Sequence, residues 1–279
     1  MKGPGAALRR TSRLTLPTVQ YLFSLESHVY AFAIAANVLL CFFPFAVLIL
    51  SLAQNLFHWQ GAANVIYLAL RDWLPEDPGL VDFVVRNLRS AVTSRGRAEA
   101  LSALVLIFSS NGIFVPLEVA LNRLWGFGKD RPYWRHQLLS LALAFACGLL
   151  TLCAAAVAAL GTEWMKSVLD PYIVLPRTSA LLALKLTVLP FSVAVLLLVY
   201  GILPNGYVPF RRIWPVAVLV GVSMEVAKEL WAALWPHLGF RRVYGPFFVS
   251  VALLLFGYVS ALIVLAGGEI QARPARNQD

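Results

Sequence analysis

Apolar positions in this chain fall into six long, nearly unbroken runs, separated by shorter segments rich in arginine, proline and glycine. The runs cover about residues 29–54, 98–120, 138–161, 180–203, 213–235 and 246–268. At a rise of ~1.5 Å per residue, ~20 helical residues cross the ~30 Å hydrocarbon core of a bilayer. No water is available there, so a spanning segment must satisfy its backbone hydrogen bonds internally, and each run reads as a helix. The expected fold class is all-α: a polytopic membrane protein with six transmembrane helices and short extra helices in the first outer loop. Residues 1–28 read as a cytoplasmic N-terminal tail and interfacial segment, 29–269 as the six-helix membrane domain, and 270–279 as a cytoplasmic C-terminal tail.

Between the runs the pattern is finer. Residues 16–27 read as an interfacial helix leading into the first span, and Pro44 predicts a kink within it, because proline removes a backbone donor. The first loop is too long for a simple turn. Its apolar positions at 61–74 and 80–92 have helical spacing, which predicts two short helices around a Pro75–Gly79 turn. Pro204-Asn205-Gly206 predicts a tight turn. No internal repeat is visible, so the inverted-repeat plan of many secondary transporters finds no support.

Composition agrees: 59% of residues are hydrophobic, 13% are charged, and the mean hydropathy is +0.74. Soluble domains carry roughly 25% charged residues. Lys2, Arg9, Arg10 and Arg13 precede an apolar run too long for the core of a cleavable signal, so that run reads as an uncleaved first span.

The net charge of +9 would suit nucleic acid, but its placement points to topology instead. Arg123, Lys129, Arg131, Arg135, Arg211, Arg212, Arg273 and Arg276 all fall on the side of the N-terminal tail. The short opposite loops hold Lys166, Arg177, Arg241 and Arg242. By the positive-inside bias both termini are expected in the cytoplasm, and the protein in a bacterial inner membrane. Six of the 8 tryptophans, Trp59, Trp125, Trp134, Trp164, Trp214 and Trp235, mark span ends, as interfacial anchors do. The expected partners are membrane lipids, with anionic headgroups at the cytoplasmic face, and no nucleic acid.

Catalytic chemistry is sparse. Cys41, Cys147 and Cys153 lie inside spans without metal spacing and read as packing residues. His28, His58, His136 and His237 are scattered at span ends. There is no Walker loop and no Gly-x-Ser-x-Gly elbow. No cofactor, metal site or catalytic residue is expected, and the protein does not read as an enzyme.

Ionisable groups inside spans are expensive and usually have a reason. Glu225, Lys228 and Glu229 share one face of the fifth run, and Lys185 lies at similar depth in the fourth. A pair between Lys185 and Glu229 or Glu225 is geometrically open. These four residues form either a polar cavity opening to the outer face or a charge network that only holds helices in register. Asn37 and Asn111 read as interhelical hydrogen-bonding residues.

The chain resembles the YihY/BrkB family, once mislabelled ribonuclease BN, from about residue 29 to 269. The resemblance rests on Ala120-Leu-Asn-Arg-Leu-Trp-Gly126, Arg131-Pro-Tyr-Trp-Arg135, Leu203-Pro-Asn205, Glu225-Val-Ala-Lys228, Tyr244-Gly245 and Gly267-Gly-Glu269. Leu39-Leu-Cys-Phe-Phe-Pro44 matches the family's first apolar stretch, with Asn37 in place of a usual aromatic and Cys41 in place of serine. The resemblance implies an inner-membrane protein without a secure biochemical activity. It marks Glu118, Asn122, Arg123, Asn205 and Glu269 as an inner-face motif, and Arg241, Arg242, Tyr244 and Gly245 as an outer-face one. Some members are linked to envelope lipid or lipopolysaccharide handling, which suits an outward-facing polar cavity. Three readings follow: a transporter or flippase-like protein for a lipid or amphipathic substrate, a scaffolding membrane protein with purely structural charges, and, least supported, a ribonuclease.

Overall fold

The structure, a computed structural model, describes residues 16–55, 86, 97–128, 131–169 and 177–276. The two short helices expected at 61–74 and 80–92 lie outside the described residues. So do the side chains of Asn111, Lys185 and Arg241.

Every regular element among the described residues is helical. Residues 16–22 form α1. The long helices are α2 (Leu25–Asn55), α3 (Arg97–Trp125), α4 (Tyr133–Leu169), α5 (Arg177–Ile202), α6 (Phe210–Leu238) and α8 (Phe248–Arg276). A short α7 (Phe240–Tyr244) and a 3₁₀ turn (Gly245–Phe247) join the last two. The single interfacial helix expected at 16–27 is corrected here: the chain breaks at Phe23 and Ser24, and α2 begins at Leu25. Ser24 explains the break. Its hydroxyl donates to the Tyr21 carbonyl (2.7 Å) and accepts from the Ser27 N–H (3.3 Å), so it ends one helix and opens the next.

The six long helices hold 26 to 37 residues each, so even the shortest is about 39 Å long. Leu25–Phe42, Trp134–Ala154 and Phe248–Arg273 combine spanning length with apolar composition, and Thr187–Ile202 is an apolar but shorter stretch. Charged Arg211, Arg212, Glu225, Lys228 and Glu229 dilute α6. α2, α3 and α5 run on through Pro44, Pro116 and Pro190.

Packing follows a ring: α2 against α3, α3 against α4, α4 against α5, α5 against α6, α6 against α8, and α8 back against α2. A further contact of α8 with α3 crosses the ring. The core lies along these lines, through Ala31, Leu117, Leu121, Tyr200, Leu203, Ala217 and Leu265. Small residues let the helices close. A methyl group at Gly267 would collide with the Tyr200 hydroxyl, which donates to the Val264 carbonyl at 2.7 Å. Gly239 caps α6 in the left-handed region (φ 59°), where a side chain is strained.

Large apolar side chains also point outward: Phe32, Leu40, Leu138, Leu149, Val226 and Leu230 are all exposed. On a soluble protein such a surface is an aggregation hazard, whereas in a bilayer it faces lipid. The starts of α2, α4 and α6 and the ends of α3, α5 and α8 share one end of the bundle with Arg123, Arg131, Arg135, Arg211, Arg212 and Arg273. It is called the basic end below.

Candidate functional site

Glu118 and Asn122 are one turn apart near the end of α3, and both are buried. Across from Glu118 stands His136 in the first turn of α4, its Nδ1 2.6 Å from Glu118 Oε2. The connection between the two helices delivers Arg131, whose guanidinium lies 3.9 Å from Glu118 Oε1. The same guanidinium donates to the carbonyls of Ile202 (3.1 Å), Leu203 (3.2 Å) and Pro204 (2.9 Å). Ile202 is the last residue of α5, and Leu203 and Pro204 follow it in the turn, so none of these carbonyls has an intrahelical donor. Asn122 Oδ1 in turn accepts the backbone N–H of Asn205 at 2.8 Å. A carboxylate, a fork of donors and an amide thus tie α3, α4 and the α5–α6 turn into one knot.

Beside it, Trp125 stacks on Phe127 (centroids 6.0 Å apart, planes 7° apart) and Arg212 lies over the Trp125 ring at 5.8 Å. Arg123 is exposed and pairs with Glu26 of α2 at 3.0 Å. Of the inner-face residues picked from sequence, Glu118, Asn122 and Asn205 therefore come together, and Arg123 turns away to α2. Glu269 forms a second knot. Its carboxylate is buried, accepts from Thr18 Oγ1 (2.8 Å) and meets Arg273 one turn later at 2.5 Å. Arg273 also donates to Thr18 Oγ1. Tyr21 of α1 borders this region. Burial, then the charges of Glu26, Tyr30 and Glu269, push its phenol up to about 12 against the opposing pull of Arg123.

His136 and Arg131 were missed as site residues. One signal could have found His136. A short hairpin brings together residues equidistant from its turn, and Glu118 and His136 flank Phe127 at equal separation.

Toward the opposite half of the bundle, Glu225 and Lys228 pair within α6 at 2.7 Å, both side chains largely buried. Ser192 of α5 reaches Glu225 Oε1 at 3.4 Å. Glu229 lies on the exposed side of the same helix. The pairing of Lys185 with either glutamate lies outside the described side chains. Among the outer-face residues, Arg242 and Tyr244 are exposed, and Gly245 (φ 53°) opens the 3₁₀ turn. Tyr244 packs on Phe240, at the edge of an aromatic group that includes Trp231, Trp235, Phe248 and Phe256. Asn37 corrects an expectation: its amide donates to the Ala33 carbonyl in its own helix (2.8 Å), while across the interface it packs on Gly112. Cys41, Cys147 and Cys153 are not joined in disulfides.

A groove of about 620 Å³ opens on the flank between α2 and α8, walled by Val29, Phe32, Ala33, Leu254 and Leu255. His28 Nδ1 and the Tyr258 hydroxyl meet along it at 2.5 Å, with their rings stacked. Its composition was unreadable as a pocket, because both walls are simply membrane-like helix faces.

A family model described as Virulence factor BrkB matches residues 25–279. A UPF0761 membrane protein of Pseudomonas aeruginosa (strain LESB58) is 30% identical over 222 residues, covering 76% of this chain and 50% of the relative. One from Azotobacter vinelandii is 27% identical over 244 residues, covering 86% and 58%. One from Stenotrophomonas maltophilia (strain R551-3) is 25% identical over 196 residues, covering 67% and 44%. The chain thus spans about half the length of the curated relatives it matches. No solved structure matches it.

Proposed function

The chain belongs to the BrkB family of membrane proteins, and from there we propose that it binds a lipid or amphipathic envelope molecule and moves it, as a transporter or flippase-like protein rather than an enzyme. The observation that carries this reading is the flank groove between α2 and α8. It opens where the bundle meets lipid, and its walls suit an acyl chain. Its volume lies within the ~300–1,000 Å³ usual for small-molecule sites. The His28–Tyr258 pair supplies one polar contact in otherwise apolar surroundings. With the basic end in the cytoplasm of a bacterial inner membrane, the Glu225–Lys228 face lies toward the outer leaflet. It then offers a headgroup a polar surface between α5 and α6. The arginines of the basic end suit anionic headgroups on the other side.

Reconstitution with a photoactivatable acyl-chain lipid tests the site. Crosslinks should concentrate on Phe32, Ala33 and Leu255, and Ala33→Phe, which fills the groove, should reduce them. Labelling equally dense on the exposed face of α4 would remove the groove's claim. Transport itself is read by movement of a fluorescent lipid between leaflets of vesicles containing the protein.

A scaffolding role is the second reading, and one observation favours it: Glu225 and Lys228 already neutralise each other within a single helix. If Glu225→Gln with Lys228→Met keeps both stability and cellular function, those charges are structural.

A further inference from the structure

We propose that the groove between α2 and α8 holds an ester-linked acyl lipid by its ester carbonyl, with the chain pointing away from the basic end, an inference that rests on the reading of that groove as a lipid site. His28 Nδ1 and the Tyr258 hydroxyl meet at 2.5 Å, and neither side chain makes another hydrogen bond among the described residues. An imidazole carries at least one N–H, and a phenol carries one O–H. The contact between them uses one of these hydrogens. If the phenol donates, an Nε2–H is left over. If Nδ1–H donates, the Tyr258 O–H is left over. Whichever tautomer is present, at least one donor remains. Both side chains are half-buried and line the groove. A spare donor among apolar walls calls for a ligand that brings an acceptor, because an unpaired polar group away from water is costly.

The rest of the groove narrows the choice of acceptor. Among the described residues that line it there is no lysine, arginine or carboxylate, so nothing there balances a phosphate charge. In a bilayer lipid the ester carbonyls are the uncharged acceptors, and they are joined directly to the acyl chains. The order of residues along the groove fixes the direction. α2 starts at the basic end and α8 finishes there, so His28 and Tyr258 mark the side of the groove nearer that end. Ala33 and Leu254 lie further along their helices toward the opposite end. The ester therefore sits at the His28–Tyr258 pair, the headgroup lies toward the basic end, and the chain runs over Phe32, Ala33 and Leu255. From His28 to Ala33 the helix advances only about 7.5 Å. The groove grips the first part of one chain and leaves the remainder to the bilayer. It selects a linkage and an orientation, and is indifferent to chain length.

The test uses the full chain in nanodiscs and two phosphatidylglycerols with matched chains, one ester-linked and one ether-linked. Each competes with the photoactivatable acyl-chain lipid for crosslinking at Phe32 and Leu255. An ether oxygen is a weaker acceptor than a carbonyl, so the ester lipid should compete about two- to tenfold better, the range one net hydrogen bond supplies. Tyr258→Phe leaves an imidazole N–H, and His28→Phe leaves the phenol O–H, so each single variant should keep the preference. The double variant has neither donor and should lose it while retaining the crosslinks. Equal competition by the two lipids on the wild-type protein, with the crosslinks at Phe32 and Leu255 intact, overturns this proposal and leaves the groove as a lipid site. That comparison stands whether or not the double variant folds. Loss of the preference in either single variant, or its survival in the double, also overturns the proposal. Absence of crosslinks at Phe32 and Leu255 removes the lipid site itself, and the ester contact with it.

Discussion

The Arg131 guanidinium stands 2.9 Å from the Pro204 carbonyl oxygen, so a residue from the α3–α4 connection closes the end of α5, 73 positions later in sequence. Helix ends leave their last carbonyls without donors, and here one planar fork serves that of Ile202 and the two that follow it in the turn. Arg131→Lys keeps the charge but loses the fork. It should lower stability by about 1.5–3 kcal/mol, with Arg131→Met lower still, read as thermal unfolding in detergent. Equal stability of all three proteins would remove the capping role.

The Glu269–Arg273 pair is buried and shared with Thr18. Arg273→Met alone strands a carboxylate and should destabilise the protein by about 3–5 kcal/mol. Adding Glu269→Gln should recover most of the loss. Additive losses in the double variant would mean that the two side chains do not depend on each other.

Gly267 lies where an added methyl meets the Tyr200 hydroxyl and Val220. Gly267→Ala should cost about 1–3 kcal/mol through overpacking. In a Tyr200→Phe background the added cost should shrink, because the first atom it meets has gone. An identical penalty in both backgrounds would place the strain elsewhere.

Tyr21 yields a pH dependence. Its phenol titrates near 10 when unfolded and is pushed up to about 12 in the fold, chiefly by burial. Between those values the unfolded chain has released a proton that the folded chain still holds. Stability is therefore unaffected by this group below pH 10 and falls as pH rises toward 12. Tyr21→Phe should flatten that alkaline slope in unfolding curves, and an unchanged slope would assign it to another residue.

Topology is tested at two exposed positions on opposite ends, Tyr207 and Val243. In a background without Cys41, Cys147 and Cys153, an impermeant thiol reagent should label Val243→Cys from outside intact cells. Tyr207→Cys should react only after permeabilisation. The reverse pattern would invert the bundle.

The sequence made the helices legible because apolar length is a direct consequence of bilayer thickness. Their ends were less so: α4 runs from Tyr133 to Leu169, well beyond the apolar run at 138–161. Hydrogen bonding continues into the interface, where composition no longer reports it. Glu118, Asn122, Asn205 and Glu269 were singled out, and Asn122 and Asn205 proved to be partners, but Arg131 and Thr18 were not, since Arg131 reaches the α5–α6 turn and Thr18 reaches Glu269 across long separations that no periodicity encodes. The break at Ser24 turned on one hydroxyl, whose alternatives in sequence look the same. The charges of α6 were conspicuous, and the Glu225–Lys228 pair one turn apart follows from helical spacing, whereas Ser192 of α5, which also reaches Glu225, carried no signal in the pattern.

The bond between Thr18 and Glu269 joins positions 251 apart, and that separation orders the protein's biosynthesis. A ribosome completes α1 long before α8 has been translated. Until then Thr18 has no carboxylate to meet, and the groove between α2 and α8 has only one wall. The earliest described helix must wait while five long helices are made behind it. Arrival of α8 therefore completes the groove and anchors the start of the bundle with one element, so a chain stalled before α8 would have neither.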